Sequence, residues 1–246
     1  MPSASIVALR LSRLAPLGPE ATAALCGLRE SHRLPAGGAV VEEMEPLRPR
    51  FLVSGWAARV RWLADGRRQV IGLVLPGDGV GICERPQPLA LCAMTAVTPV
   101  ELVDASTVAR QVFGPDGPQA RDLSVALAMS AAMDEAHLID HIVRLGRQTA
   151  IERMAHLLLE LRFRLALVDL AQDDEMPLPL TQEQLADALG LSAVHVNRTL
   201  QQLRREGLIE LGQGRVRLLR RPLLETIADY KAPEVTRWGG GVAAAS

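Results

Sequence analysis

The chain holds only three cysteines among its 246 residues, Cys26, Cys83 and Cys92, an odd number with no C-x-x-C spacing. That argues against a disulfide framework and for buried thiols in a reducing compartment. No apolar run reaches the length needed to cross a bilayer, and the first residues lack the charged-then-apolar build of a signal peptide. A cytoplasmic protein with no membrane partner is expected. Also missing are a G-x-S-x-G elbow, a phosphate-cradling glycine loop and a metal triad, so an enzyme, a cofactor and a metal are not expected. Neither sign of charge dominates: 27 Lys and Arg face 28 Asp and Glu, which argues against a protein that coats nucleic acid over its whole surface. No internal repeat is found. What is present is an ordinary globular balance, 48% hydrophobic and 22% charged, in a length that accommodates two modest domains.

The most specific stretch runs from Leu180 to Leu219, LTQEQLADALGLSAVHVNRTLQQLRREGLIELGQGRVRLL. Thr181 with Gln184 three residues on forms a capping box, so a helix starts there, with Leu185, Ala186 and Leu189 as its apolar face. Gly190 supplies the left-handed backbone that turns the chain into a second helix. Ser192 caps that helix, and Val196, Leu200 and Leu203 fall on its buried side. Gly207 stops it. Two short strands, Leu208 to Leu211 and Arg215 to Leu219, are joined at Gly212-Gln213-Gly214. Order and lengths are those of a winged helix-turn-helix.

The residues left over once this core is assigned point to double-stranded DNA. Ala193, Val194, His195, Asn197, Arg198, Gln201, Gln202, Arg204 and Arg205 turn away from the apolar seam, offering groups that read base edges in a major groove. Arg204, Arg205, Arg215 and Arg217 suit phosphates, which position a protein without reading sequence. The expected DNA-contacting set is Thr181, Gln182, Ser192, Ala193, Val194, His195, Asn197, Arg198, Gln201, Arg204, Arg205 and Arg215. The charge excess here is small, eight basic residues against six acidic ones from Leu178 to Lys231, so charge alone would not have indicated DNA.

Elsewhere the pattern divides into further blocks. From about Leu9 to Ser106, short strands separated by turns such as Asp65-Gly66 and Pro76-Gly77-Asp78-Gly79 favour a small β-barrel or roll, placed at 1–118. After the turn-rich Gly114-Pro115-Asp116-Gly117-Pro118, a long helix at 119–145 carries Leu123, Leu127, Met129, Met133, Ala136, Ile139, Ile142 and Val143 as a broad apolar stripe. A second copy is the economical cover for it, giving a homodimer, and packing on the chain's own β-domain is the other cover; a wide stripe permits both. Gly146 reads as a hinge into a helix from Arg147 to about Val168, the start of a DNA-binding domain at 146–231. Ala171 to Pro179 reads as an acidic linker, and 232–246 as a disordered tail. The fold class is α+β: N-terminal β-roll, long dimerisation helix, C-terminal winged helix-turn-helix.

This order resembles the Crp/Fnr family of bacterial transcription regulators over most of the chain, from about Leu9 to Tyr230. The matching segments are SGWAARVRWLADGRRQVIGLVLPGDGVG (Ser54 to Gly81), LGRQTAIERMAHLLLELRFRL (Leu145 to Leu165) and the recognition unit. The resemblance implies a cyclic-nucleotide-binding-like roll and a homodimer on a palindromic operator, with RNA polymerase as a further partner. It also exposes departures. Ile82 stands where cyclic-nucleotide-binding members have a glutamate, and Ala90-Leu91-Cys92 where they carry an arginine pair for the phosphate. A cyclic phosphate needs a cation or several donors to offset its desolvation, so cyclic AMP is not the expected signal. Three scattered cysteines are one short of the iron–sulfur ligand set of oxygen-sensing members. At the start of the recognition helix, Ala193 and Val194 replace an arginine and a glutamate, while Arg198 matches the family's later arginine.

A few residues invite sensing roles. His137 and His141, with Asp134, have the spacing of metal ligands on one helix face, but no fourth ligand follows, and a polar stripe beside the dimer seam is the simpler reading. Cys92 reads as core, and Cys83, in a loop near Glu84 and Arg85, is the candidate redox thiol. His156 reads as a satisfied structural histidine. Arg144, Arg147 and Arg153 suit phosphates or, more ordinarily, salt bridges. The alternative function is a β-roll sensor of a small molecule or redox state with little or no specific DNA binding.

Overall fold

The computed structural model describes residues 5–85, 87–114 and 120–235. The expected turn at 115–118 and most of the expected tail lie outside them. The chain opens with two helices, α1 (Ser5–Ser12) and α2 (Pro19–Cys26). This corrects the expectation of strands from Leu9: Val7, Leu11, Ala21 and Leu25 are buried against Phe51 and Val103 of the roll, at a helical rather than a strand period.

The roll consists of β1 (Ser31–Leu34), β2 (Ala39–Val41), β3 (Arg50–Ser54), β4 (Ala57–Trp62), β5 (Arg68–Val74), β6 (Gly79–Val80), β7 (Ala93–Ala96) and β8 (Val100–Asp104). They form two antiparallel four-stranded sheets, β1-β8-β3-β6 and β2-β7-β4-β5. Leu52, Ala57, Val74, Val80, Met94, Ala96, Val100 and Leu102 fill the space between them. The Asp65-Gly66 turn joins β4 and β5, as expected, with Gly66 at φ 84°.

After α3 (Ser106–Phe113) comes the long helix α4 (Arg121–Arg147), which runs through Gly146 without a break. The hinge therefore lies two residues later, where Gln148 is extended (φ −91°, ψ 146°) and Thr149 caps α5 (Ala150–Ala166) through a capping box with Glu152. The apolar stripe of α4 also divides. Leu123, Ala126 and Met133 are buried against the chain's own fold, with Leu127 and Met129 packed against the same cluster as α1 and α2. Ile139, Ile142 and Val143, together with Leu138, lie exposed on its C-terminal half, Ile142 at 70%.

The C-terminal unit comprises α5, β9 (Glu175–Pro177), α6 (Gln182–Leu189), α7 (Ala193–Arg205), β10 (Ile209–Gly212), β11 (Arg215–Leu218) and α8 (Arg221–Ala228). The supposed linker at Ala171 to Pro179 is in part a strand: β9 pairs with β11 and completes a three-stranded sheet, β10-β11-β9. This unit does not stand apart from the roll. Trp56, Ala58, Val60, Val70 and Leu73 of the roll share one continuous core with Leu158, Leu161, Leu185, Leu189 and Val196.

Buried charges tie the same junction together. Asp78, at the tight turn before β6, pairs with Arg10 of α1 (3.0 Å) and Arg164 of α5 (2.6 Å), and all three are more than 90% buried. Arg164 also reaches Glu160 (3.2 Å), which pairs with Arg144 of α4 (2.8 Å). Charges held this deep persist only when paired and hydrogen-bonded, because each alone would forfeit its hydration. Gly77, at φ 93°, is required here, since a Cβ would sit 2.8 Å from Arg10.

Candidate nucleic-acid interface

Local sequence builds the recognition unit. The Gln184 N–H donates to Thr181 Oγ1 (3.1 Å) while the Thr181 N–H donates to Gln184 Oε1 (2.9 Å), the reciprocal box that starts α6. Gly190 ends α6 in the left-handed conformation, φ 62° and ψ 38°. The His195 N–H donates to Ser192 Oγ (3.2 Å), capping α7. Val196, Thr199, Leu200 and Leu203 are buried, and the Thr199 hydroxyl donates to the His195 carbonyl at 2.9 Å.

Pinning that face fixes the other. Val194, His195, Asn197, Arg198, Gln201, Gln202, Arg204 and Arg205 are exposed, as are Thr181, Gln182 and Ser192; Ala193 is half-buried. Val194, at 63% exposure, is a bare apolar side chain on an otherwise polar surface, suited to a thymine methyl. Arg198 makes no side-chain hydrogen bond or ion pair among the described residues, so its guanidinium is available for an acceptor pair. Others are partly engaged within α7: Gln202 donates to Glu206 (2.9 Å) and Arg204 reaches Gln201 at 3.5 Å.

Two features had no place in the sequence reading. Thr149, Ala150 and Ile151, at the N-terminus of α5, line one groove with Ser192, Val194, His195, Arg198, Thr199 and Gln202. The positive end of α5 therefore opens into the same groove as the exposed face of α7. The sequence signal for it is the Thr149/Glu152 capping box, which starts the helix at Ala150 rather than at the expected Arg147. The second is Glu175 on β9, which holds both wing arginines, Arg215 and Arg217, at 2.5 Å each. It lies in the stretch expected as a linker, which the structure instead pairs with β11.

Of Arg144, Arg147 and Arg153 on the supporting helices, Arg144 and Arg153 are structural. Arg144 is buried with Glu160, and Arg153 donates to the carbonyls of Gln148 (2.8 Å) and Leu189 (2.9 Å), fastening the turn between α6 and α7 to α5. Arg147 is exposed. Asp187 of α6 docks the unit on the roll, accepting from Arg68 (2.6 Å) and, through its carbonyl, from Gln69 (2.7 Å).

His137 and His141 do not form a stripe beside an open seam, because both are buried between α4, α5 and the roll. His141 Nδ1 lies 3.3 Å from Arg144, His137 packs edge-on to Phe163, and Asp134 is turned to Arg59 (3.4 Å). They border a cavity of about 30 Å³, room for no more than a water or two. Among the described residues, no group of three His, Cys, Asp or Glu converges on a point. His156 is buried edge-on to Tyr230 but its Nδ1 has no partner among the described residues, so it is not fully satisfied. Desolvation lowers all three imidazoles to about 4. Cys92 is half-buried rather than core, and burial pushes its thiol up. Cys83 is half-buried too, its Sγ 3.9 Å from the Gly81 carbonyl.

Comparison with known proteins agrees with this geometry. Residues 152–227 match the Crp-like helix-turn-helix domain. The nitrogen fixation regulation protein FixK of Bradyrhizobium diazoefficiens is 32% identical over 196 residues, 78% of this chain and 80% of its own. The transcriptional activator protein FnrL of Cereibacter sphaeroides is 32% identical over 164 residues, 65% of this chain and 64% of its own. Among solved structures, FixK2 from Bradyrhizobium japonicum superposes with a TM-score of 0.67 at 28% identity, covering 82% of this chain and 98% of that one. With a two-sheet roll, a long connecting helix and a winged recognition unit in the same order, the chain belongs to the Crp/Fnr family of DNA-binding transcription regulators.

Proposed function

We propose that the chain acts as a homodimer on a palindromic DNA operator, one α7 per half-site, with half-site centres about 34 Å apart, one helical turn of duplex. The observation that carries this reading is the capped, outward-facing α7, sharing a groove with the N-terminus of α5. Arg198, with Val194 and Asn197, reads base edges; Ser192, Arg204, Arg205, the wing arginines Arg215 and Arg217 and the α5 N-terminus hold phosphates. Leu138, Ile139, Ile142 and Val143 of α4 form the seam with the second copy. The DNA-bound dimer engages RNA polymerase in the cytoplasm, and the chain has no catalytic role of its own; two of its relatives are named as transcriptional activators.

The roll receives a signal other than cyclic AMP. Where the family resemblance places the phosphate-binding arginine pair, Leu91 is 69% exposed and Cys92 half-buried, and neither offers a cation. Selection of bound duplexes from a random pool tests the DNA reading. The expected product is a two-fold-symmetric site, and Arg198→Ala should relax preference at one base pair in each half by about 1–3 kcal/mol. An unchanged preference at every position would refute the assignment of Arg198.

A further inference from the structure

On the wing, the two arginines assigned to the DNA backbone, Arg215 and Arg217, are already occupied. Glu175 lies directly across from Arg217 in the β9–β11 pairing, and Arg215 projects from the same face two residues away. One carboxylate takes both: Oε1 accepts from Arg215 Nε (2.5 Å), and Oε2 accepts from Arg217 Nη2 (2.5 Å) and Nε (3.1 Å). The two guanidiniums hold the Glu175 carboxyl below its ordinary range. The strand is set for this purpose by a two-residue turn in which Asp173 and Asp174 both adopt left-handed backbone (φ 50° and 58°), closed by Gln172 and Glu175. Glu210, opposite Arg217 on β10, and Asp173 add further negative charge around it. Asp174 is spent elsewhere, on Arg162 at 2.9 Å and Arg221 at 3.7 Å.

We propose that Glu175 is an internal rival of the DNA backbone: it occupies the wing arginines in the free protein and sets DNA affinity by having to be displaced. The inference rests on the wing meeting a duplex as read above. Its physics is simple competition. A phosphate approaching Arg215 and Arg217 must either share them with a carboxylate a few ångströms away, at a cost in like-charge repulsion, or displace it. Because the pairs are solvent-exposed, displacement is within reach of a phosphate, and the effect is graded rather than absolute. It acts on every duplex alike, since backbone contacts carry no sequence information.

The test uses the full-length protein and a fluorescent duplex of mixed sequence, titrated over a series of potassium chloride concentrations. Glu175→Gln keeps the side chain's shape and should bind about three- to tenfold more tightly at low salt. The slope of log affinity against log salt should steepen by about one for each arginine that gains a phosphate. The gain should vanish when Arg215→Ala and Arg217→Ala are added. Should the amide disturb the turn, as judged by a lowered melting temperature, Glu175→Ala makes the same comparison. Unchanged or weaker binding by the glutamate variants, or a gain that survives loss of both arginines, overturns the inference. If in addition the arginine substitutions weaken the otherwise native protein, the DNA-interface reading survives that failure. If neither those substitutions nor Arg198→Ala affects binding, the interface reading has failed and the inference falls with it.

Discussion

Gly190 shows how much of the recognition geometry rests on single residues. It carries α6 into α7 in the left-handed conformation, at φ 62°, and a Cβ there would press on Leu145 Cδ2 at 3.2 Å. Gly190→Ala should therefore lose about 1–2 kcal/mol of stability from the left-handed backbone alone, with loosened DNA binding, checked by denaturant melts and by anisotropy. A variant as stable as the parent would show that the turn relaxes. At this scale the sequence was most informative where the chemistry is local. Thr181 with Gln184, Ser192 and Gly190 act within a few positions of one another, and their roles could be read directly. Arg153, Glu175 and Arg164 could not be placed, because their partners lie 36 (Leu189), 40 (Arg215) and 86 (Asp78) residues away. Only folding brings such groups together.

Among the elements, α4 is the most instructive. Its length and amphipathic period were legible, but a 3.6-residue period marks an apolar face without saying what covers it. The first half is covered by α1 and α2, whose existence the strand-like reading of the N-terminal block had concealed; the second half presents Leu138, Ile139, Ile142 and Val143. Placing Glu at both 139 and 142 (Ile139→Glu, Ile142→Glu) should turn a dimer into a folded monomer in sedimentation velocity, with loss of high-affinity operator binding. Retention of the dimer would move the seam elsewhere. The strand β9 was hidden for a different reason: Glu175-Met176-Pro177 contains an acidic residue and a proline, both poor strand formers, and pairs as an edge strand.

Across the whole molecule, acid is the condition to which the structure is most exposed. His137, His141 and His156 are buried at or beside the junction of roll and recognition unit, each lowered to about 4. Above about pH 6.5 the imidazoles are neutral in both folded and unfolded chains, and contribute no pH dependence. Between about 6.5 and 4 the unfolded chain takes up protons that the folded one refuses, so stability falls with falling pH, by up to about 1.4 kcal/mol per pH unit for each histidine. Glu160, held at about 2 by Arg144, His137 and Arg164 against the opposing cost of burial, loses its stabilising contribution lower still, as pH falls from its unfolded value toward 2. Thermal melts should be level from pH 8 to about 6.5 and then lose melting temperature steadily down to pH 5, a loss lessened when His156→Phe and His141→Leu remove two of the sites. A flat profile in the parent protein would contradict this.

The core that passes without interruption from Trp56, Val60 and Val70 into Leu158, Leu185 and Val196 bears on how such regulators diversify. A new operator specificity cannot be acquired by grafting a foreign recognition module behind α4, since the graft would arrive without its counterpart surface on β4 and β5. Arg68, Gln69 and Asp187 would have to travel as one inherited set. Successful chimeras between relatives should thus be those whose crossover keeps the β4–β5 hairpin and α6 from the same parent.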